Sequence, residues 1–133
     1  MKNFKILLLL ILCNSCVKEG KYIYTINNKS NCDFSVVYKQ WAEKDTTILI
    51  PNNRKIIFYS YGGTGFTPSD KGQGFLNSFD TIFLQTPDTV EMIKDFYKRD
   101  NWEFKWGDGD GSYNDGVGEY NFIINMSDLK HNE

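Results

Sequence analysis

Apolar and polar residues alternate with a period of two through most of this chain, and its turns fall where the alternation stops. Tyr22-Ile23-Tyr24-Thr25-Ile26 reads as a first strand, Cys32 to Trp41 as a second and Thr46 to Ile50 as a third. Lys55 to Tyr61 reads as a fourth strand and Thr81 to Gln85 as a fifth. Trp102-Glu103-Phe104-Lys105-Trp106 alternates cleanly, and Tyr120, Phe122, Ile124 and Met126 mark one face of a last strand. The fourth strand is apolar on both faces, with Ile56 and Phe58 on one and Ile57, Tyr59 and Tyr61 on the other, which predicts a central place in its sheet. Asn27 to Asn31 is a dense turn signal, because Asn tolerates positive φ and bonds its own backbone. Pro51-Asn52-Asn53 predicts a hairpin between the third and fourth strands. In Pro87 to Arg99, Val90, Ile93, Phe96 and Tyr97 fit helical spacing, with acids early and Lys98-Arg99 late, so this stretch predicts a short helix. Several strands on short turns, with at most one helix, predict an all-β antiparallel fold, a sandwich or a barrel, of which the sandwich is the expected one.

Two loops interrupt that pattern. Gly62 to Gly74 holds five of the eleven glycines, plus Pro68, and predicts a long loop pinned to the core by Phe66 and Phe75. Its glycine spacing fits no phosphate-binding sequence, since no Gly-Lys-Ser/Thr follows. Gly107 to Gly118 reads as a hairpin loop rich in Asp and Gly, and Asp100 to Glu119 carries six acids against one base, Lys105. Counted from Asp108 as position 1, Asp110 and Glu119 fall at offsets 3 and 12 of a calcium loop. Position 6 is Tyr113 where the sharp turn calls for glycine, and the flanks read as strands. No metal and no other cofactor is expected. Asp108, Asp110 and Glu119 are the candidates should that expectation fail, and millimolar calcium is predicted to leave the melting temperature unchanged.

Catalytic chemistry finds little to work with. The single histidine, His131, lies two residues from the end, and no Gly-x-Ser-x-Gly elbow exists. Cys32 shares a predicted strand face with Phe34, Val36 and Tyr38, which suits a small buried hydrophobe. A carboxylate pair, as a hydrolase would use, stays open because separation in space is not written in the sequence. Aromatic residues offer binding instead. Trp102, Phe104 and Trp106 share one strand face and Tyr59 and Tyr61 another, so Trp102, Trp106, Tyr59 and Tyr61 are the candidate binding residues for a glycan ring or a protein partner. Core packing is the competing use of the same rings, and exposure of two or more would favour binding.

The first sixteen residues fix an expected address. Lys2 and Lys5 precede the apolar run Ile6 to Leu12, which is too short to cross a bilayer and has the form of a secretory signal. Cys16 directly after Ser15 resembles the lipobox of bacterial lipoproteins, although Cys13 stands where leucine is usual and Asn14 where a small residue is preferred. The resemblance implies that Cys16 is acylated, palmitate included, and becomes the new N-terminus. Residues 1–15 are then the signal peptide, 16–21 a polar tether and 22–129 the folded domain. The remaining 118 residues suffice for one domain, with 13 basic against 17 acidic residues. That mild acidity argues against nucleic acid as a partner. With Cys13 removed and Cys16 acylated, Cys32 has no partner for an internal disulfide.

Phe79-Asp80-Thr81-Ile82-Phe83, Glu119 to Ile124 and Ser127-Asp128-Leu129 are similar to small Gram-negative lipoproteins of uncharacterised function, with an Ig-like β-sandwich behind a lipidated cysteine. The expected function is a non-catalytic binding or interaction module held on the outer membrane through Cys16. A structural subunit of an outer-membrane complex and a carboxylate-based hydrolase are the alternatives.

Overall fold

The computed structural model describes residues 19–41, 43–107 and 115–132. Among the described residues the fold is carried by nine strands: β1 (Glu19–Asn28), β2 (Phe34–Lys39), β3 (Thr46–Ile50), β4 (Arg54–Thr64), β5 (Thr81–Gln85), β6 (Val90–Met92), β7 (Trp102–Gly107), β8 (Asp115–Ile124) and β9 (Leu129–His131). The helical pieces among the described residues are three short 3₁₀ turns, and none of them is long and apolar enough to cross a membrane. Strands form a four-stranded sheet in the order β4-β1-β8-β7, a three-stranded sheet β3-β2-β5 and a two-stranded ribbon β6-β9.

The alternation read from the sequence places the core. Tyr22, Tyr24 and Ile26 of β1 and Tyr120, Phe122 and Ile124 of β8 turn inward, and all but Tyr22 are completely buried. Phe34, Val36, Ile50 and Ile82 from the three-stranded sheet join the same cluster, so both sheets pack on one core. Rings dominate it. Tyr24 stacks on Tyr120 at 5.3 Å and meets Phe79 edge-on at 5.3 Å, an arrangement that the negative face and positive edge of aromatic rings favour. Met126 departs from the expected inward row, because β8 ends at Ile124 and Met126 starts a 3₁₀ turn on the surface.

Several sequence expectations are corrected here. Val90, Ile93, Phe96 and Tyr97 do not line a helix: β6 pairs with β9, and Ile93 donates its amide to Asp128 O at 2.9 Å. Val90 and Phe96 are buried while Ile93 and Tyr97 are exposed, so the segment is anchored at two points and not along a helical stripe. The sheet is not wholly antiparallel, since β1 and β8 run parallel in register from Glu19↔Asp115 to Asn28↔Ile124. β4 is not central but stands at a sheet edge, and the turn at Asn52-Asn53 sends the chain from one sheet to the other instead of closing a hairpin. Asn53 has φ +53° there, the left-handed conformation that Asn tolerates.

A further correction is a matter of faces. Tyr24 pairs with Tyr59 but the next residue, Thr25, pairs with Ile57, so Phe58 is a bulge. An extra residue resets the period of two. Phe58, Tyr59 and Tyr61 therefore all serve the core side, while Ile57 is exposed on the outer face. β1 begins at Glu19, inside the stretch expected to be tether, and lies between β4 and β8. The resulting order is not that of an immunoglobulin domain, whose first strand lies at the end of an ABED sheet.

Candidate functional site

The segment from Phe66 to Phe79 crosses the tyrosine-lined side of the four-stranded sheet, and its polar contacts define the most elaborate side-chain network of the described residues. Tyr22 accepts the Ser69 amide at 2.8 Å and donates to Ser69 O at 2.6 Å. Tyr24 donates to Phe75 O at 2.5 Å, and Tyr120 accepts the Lys71 amide at 2.6 Å. Asp70 receives Arg99 in a two-pronged contact, Nε to Oδ1 at 3.0 Å and Nη2 to Oδ2 at 2.5 Å, and Oδ1 also accepts from Tyr120 at 3.1 Å. Such a fork is the strong form of an Arg–carboxylate bond. The Lys71 ammonium lies 4.7 Å from the Tyr22 ring centre and 4.8 Å from that of Tyr61, and bonds the Tyr61 hydroxyl.

Glycines allow this close approach. A Cβ on Gly20 would stand 2.1 Å from the Phe66 carbonyl oxygen, and one on Gly118 would stand 2.8 Å from Pro68 Cβ and 3.0 Å from the Tyr22 ring. Gly62, Gly63 and Thr64 of the expected loop instead extend β4, and the rest of the Gly-rich stretch is a strap laid on the sheet, held by Phe75 in the core as the sequence predicts. Phe66 packs against the core edge-on to Tyr22 at 5.4 Å.

The electrostatics hold these groups in one charge state. Arg99 and the hydrogen bonds from Gly72 and Tyr120 keep the Asp70 carboxyl below its usual range. Burial, with Asp70 adding to it, pushes the Tyr120 hydroxyl up to about 12. Burial among Tyr61 and Tyr120 raises Tyr24 further still. Hydroxyls displaced this far above neutrality are poor proton donors to a reaction near pH 7. What the network offers is ring faces, neutral hydroxyls, the Asp70–Arg99 ion pair and the Lys71 ammonium.

The four candidate binding residues do not form one surface. Trp102 is 3% exposed and donates its indole N–H to Phe96 O at 2.7 Å, which makes it a core residue. Tyr59 and Tyr61 are half-buried against the core; Tyr59 accepts from Gln40 at 2.5 Å, and Tyr61 accepts from Ser78 at 3.1 Å. Trp106 alone of the four is well exposed, at 58%, beside Gly116. Core packing therefore claims most of the aromatic row. The face shared by Trp102, Phe104 and Trp106 runs from interior to surface along β7.

Asp108 and Asp110 lie outside the described residues. Glu119 is in β8, where its Oε1 meets Lys55 Nζ at 2.5 Å. Among the described residues no three His, Cys, Asp or Glu side chains gather as a metal site would require. Cys32 is partly buried just before β2, its thiol donating to Asn31 Oδ1 at 3.3 Å, and His131 is exposed on β9.

Open clefts also lie among the described residues. One, of about 450 Å³, is lined by Glu19, Gly20, Lys21, Tyr61, Gly62 and Val117 among others, at the end of the sheet where β1 begins. The other, of about 390 Å³, mixes Lys29 and Lys94 with Asp100 and Glu103. Lys94 is already engaged there, donating to Ile123 O at 2.6 Å. Trp41, treated in sequence as the last residue of a strand, stands instead at the tip between β2 and β3 and is 85% exposed. The sequence signal for it is the cluster Glu43-Lys44-Asp45, which ends the alternation just beyond it. No family model matches the chain, and neither the curated proteins nor the solved structures contain a match.

Proposed function

We propose that this chain is a bacterial lipoprotein, anchored in the outer membrane through acylated Cys16, whose β domain is a non-catalytic binding or interaction module. The observation that carries the reading is the series Lys2, Lys5, Ile6 to Leu12 and Ser15-Cys16 at the start of the chain. The structure adds a circumstance that suits it: β1 begins at Glu19, three residues after Cys16, so a domain anchored there stands close to its membrane. Its two larger sheets, sharing one core, are read as a β-sandwich with a connectivity of its own. The non-catalytic reading rests on the high-lying tyrosine hydroxyls, the ion-paired Asp70 and the surface position of His131.

Anchorage by acyl chains contributes ~0.8 kcal/mol per buried CH₂, so two or more chains hold a protein durably. Wild-type protein should stay with membranes through a high-salt wash and come off in detergent, whereas Cys16→Ala should lose acylation and leave the washed membrane fraction. Equal retention of both proteins would contradict the anchor.

A further inference from the structure

We infer that β1 and β8 form a tension clamp, by which the domain carries mechanical load between the chain that enters it and the chain that leaves it. The chain enters β1 at Glu19 and leaves β8 after Ile124. These two strands are direct neighbours and run parallel, in unbroken register from Glu19↔Asp115 to Asn28↔Ile124. A pull on the entering chain draws β1 out past Glu19. A pull on the leaving chain draws β8 the opposite way, past Ile124. The two forces act at opposite ends of one ladder and along its axis, so its evenly spaced hydrogen bonds are loaded together. Two strands pulled apart from a shared end lose such bonds one at a time.

The surroundings of β1 oppose its sliding on every side. β1 lies inside the sheet, so its pairs with β4, from Glu19↔Thr64 to Asn28↔Arg54, must shear along with those to β8. On the core side the strap grips both strands. Ser69 and Phe75 bond the Tyr22 and Tyr24 hydroxyls of β1, and the Lys71 amide bonds the Tyr120 hydroxyl of β8. On the outer face the ion pair of Lys55 in β4 with Glu119 in β8, at 2.5 Å, reaches across β1. At the far end Asn28 is wholly buried, and its amide donates to Cys32 O at 2.7 Å and to Ile50 O and Pro51 O at 3.2 Å. A shift of β1 toward Glu19 drags that group off its partners, which is costly for a buried donor. A slip of one residue also puts the buried row Tyr22, Tyr24 and Ile26 out of step with the core.

The rest of the fold stands off this path. The three-stranded sheet β3-β2-β5 is joined to neither point of entry, so it takes no direct load while the ladder holds. Beyond β8, β9 pairs with β6 over three residues, which yield before the ten-residue ladder and leave the load on β8. With the entering chain fixed in a membrane at Cys16, a pull on the β9 end therefore passes through β1 and β8. That use of the clamp rests on the reading of Cys16 as the anchor; the clamp itself does not.

The test is single-molecule force spectroscopy of the full chain, carrying Cys13→Ser, Cys16→Ser and Cys32→Ser, between folded handle proteins. Pulled from its first residue to its last, the domain should hold until one cooperative rupture, preceded at most by release of β9. A second variant adds Lys29→Cys and is pulled from that thiol to the last residue. Lys29 is exposed and its amide donates to Ile124 O at 2.8 Å, so this load enters beside the end of β8 and peels β8 from β1. Forced unfolding reads the rate of opening under load, and the peeling force should be several-fold lower than the end-to-end force at the same loading rate. Asn31→Cys, exposed in the same turn, replaces Lys29→Cys if that variant fails to fold. Equal forces in the two directions would overturn the inference, and so would end-to-end unfolding in a series of small steps. Neither result depends on acylation of Cys16, whose failure shows separately in the mass of the native protein.

Discussion

Asp70 shows how a residue with no evident part in a motif can organise a surface. It ties Arg99, the Gly72 amide and the Tyr120 hydroxyl into one network, and Arg99 in turn lies 5.1 Å over the Tyr120 ring. Nothing in the local sequence, a Ser-Asp-Lys between Pro68 and Gly72, distinguishes it from a loop residue, because its partners are 29 and 50 positions away. Its carboxyl titrates lower in the folded state than in the unfolded chain. The bonds that lower it therefore contribute stability above the unfolded value of ~3.9, and that contribution is lost as pH falls through the lower folded value. Asp70→Asn should melt below the wild type at pH 7, with the gap closing only at pH values under about 4. A gap that stays constant from pH 7 to pH 2 in thermal melts would show that the carboxylate charge is not what Asp70 supplies. Phe58 teaches the complementary lesson. Alternation assigned Tyr59 and Tyr61 to the face of Ile57, and one bulged residue moved them to the other side. A bulge is set by how two strands meet, so it is invisible to the pattern of one.

Elements whose residues carry their own signal were legible. β3 and β5 begin and end where the alternation does, and the turn expected at Asn27 to Asn31 follows β1, whose last residue, buried Asn28, accepts the Ser30 amide at 3.0 Å and hydroxyl at 2.6 Å on its Oδ1. Pro87 to Arg99 was not legible as structure. Its apolar spacing suits a helix, but β9 at the far end of the chain takes Val90 to Met92 as a partner, and Tyr97 donates to Ile82 O at 3.0 Å. Tertiary pairing overrides a local preference of this size. The same dependence on distant partners makes β8 indispensable. It is paired along one side with β1 and along the other with β7, and Tyr120, Phe122 and Ile124 are wholly buried. Losing a buried aromatic costs ~3–5 kcal/mol and losing Ile ~2–5 kcal/mol. Truncation after Gly118 removes three such side chains at once, against a typical domain stability of ~5–15 kcal/mol. The truncated chain should show no cooperative melt by circular dichroism; a sharp transition near the wild-type midpoint would mean that the core is held elsewhere.

At the scale of the molecule, a β domain with one shared core was readable from composition and alternation, whereas its wiring was not. The parallel contact of β1 with β8 joins strands almost a hundred residues apart and places the first strand inside its sheet. No turn signal reports a pairing of that kind, because parallel neighbours need a long connection. The candidate site was legible only in its materials: the rings were identified, but burial assigned Trp102 to the core and left Trp106 and Trp41 as the exposed indoles. Function in this account follows from where the chain is attached, since an anchor at Cys16 fixes which end of the domain meets the membrane. The most direct measurement is mass spectrometry of the N-terminal peptide of the mature protein isolated from its own membranes. The account predicts a peptide that starts at Cys16 and carries the mass of a diacylglycerol, with or without a further amide-linked acyl chain. A mature chain that begins elsewhere, or that carries Cys16 unmodified, would contradict it.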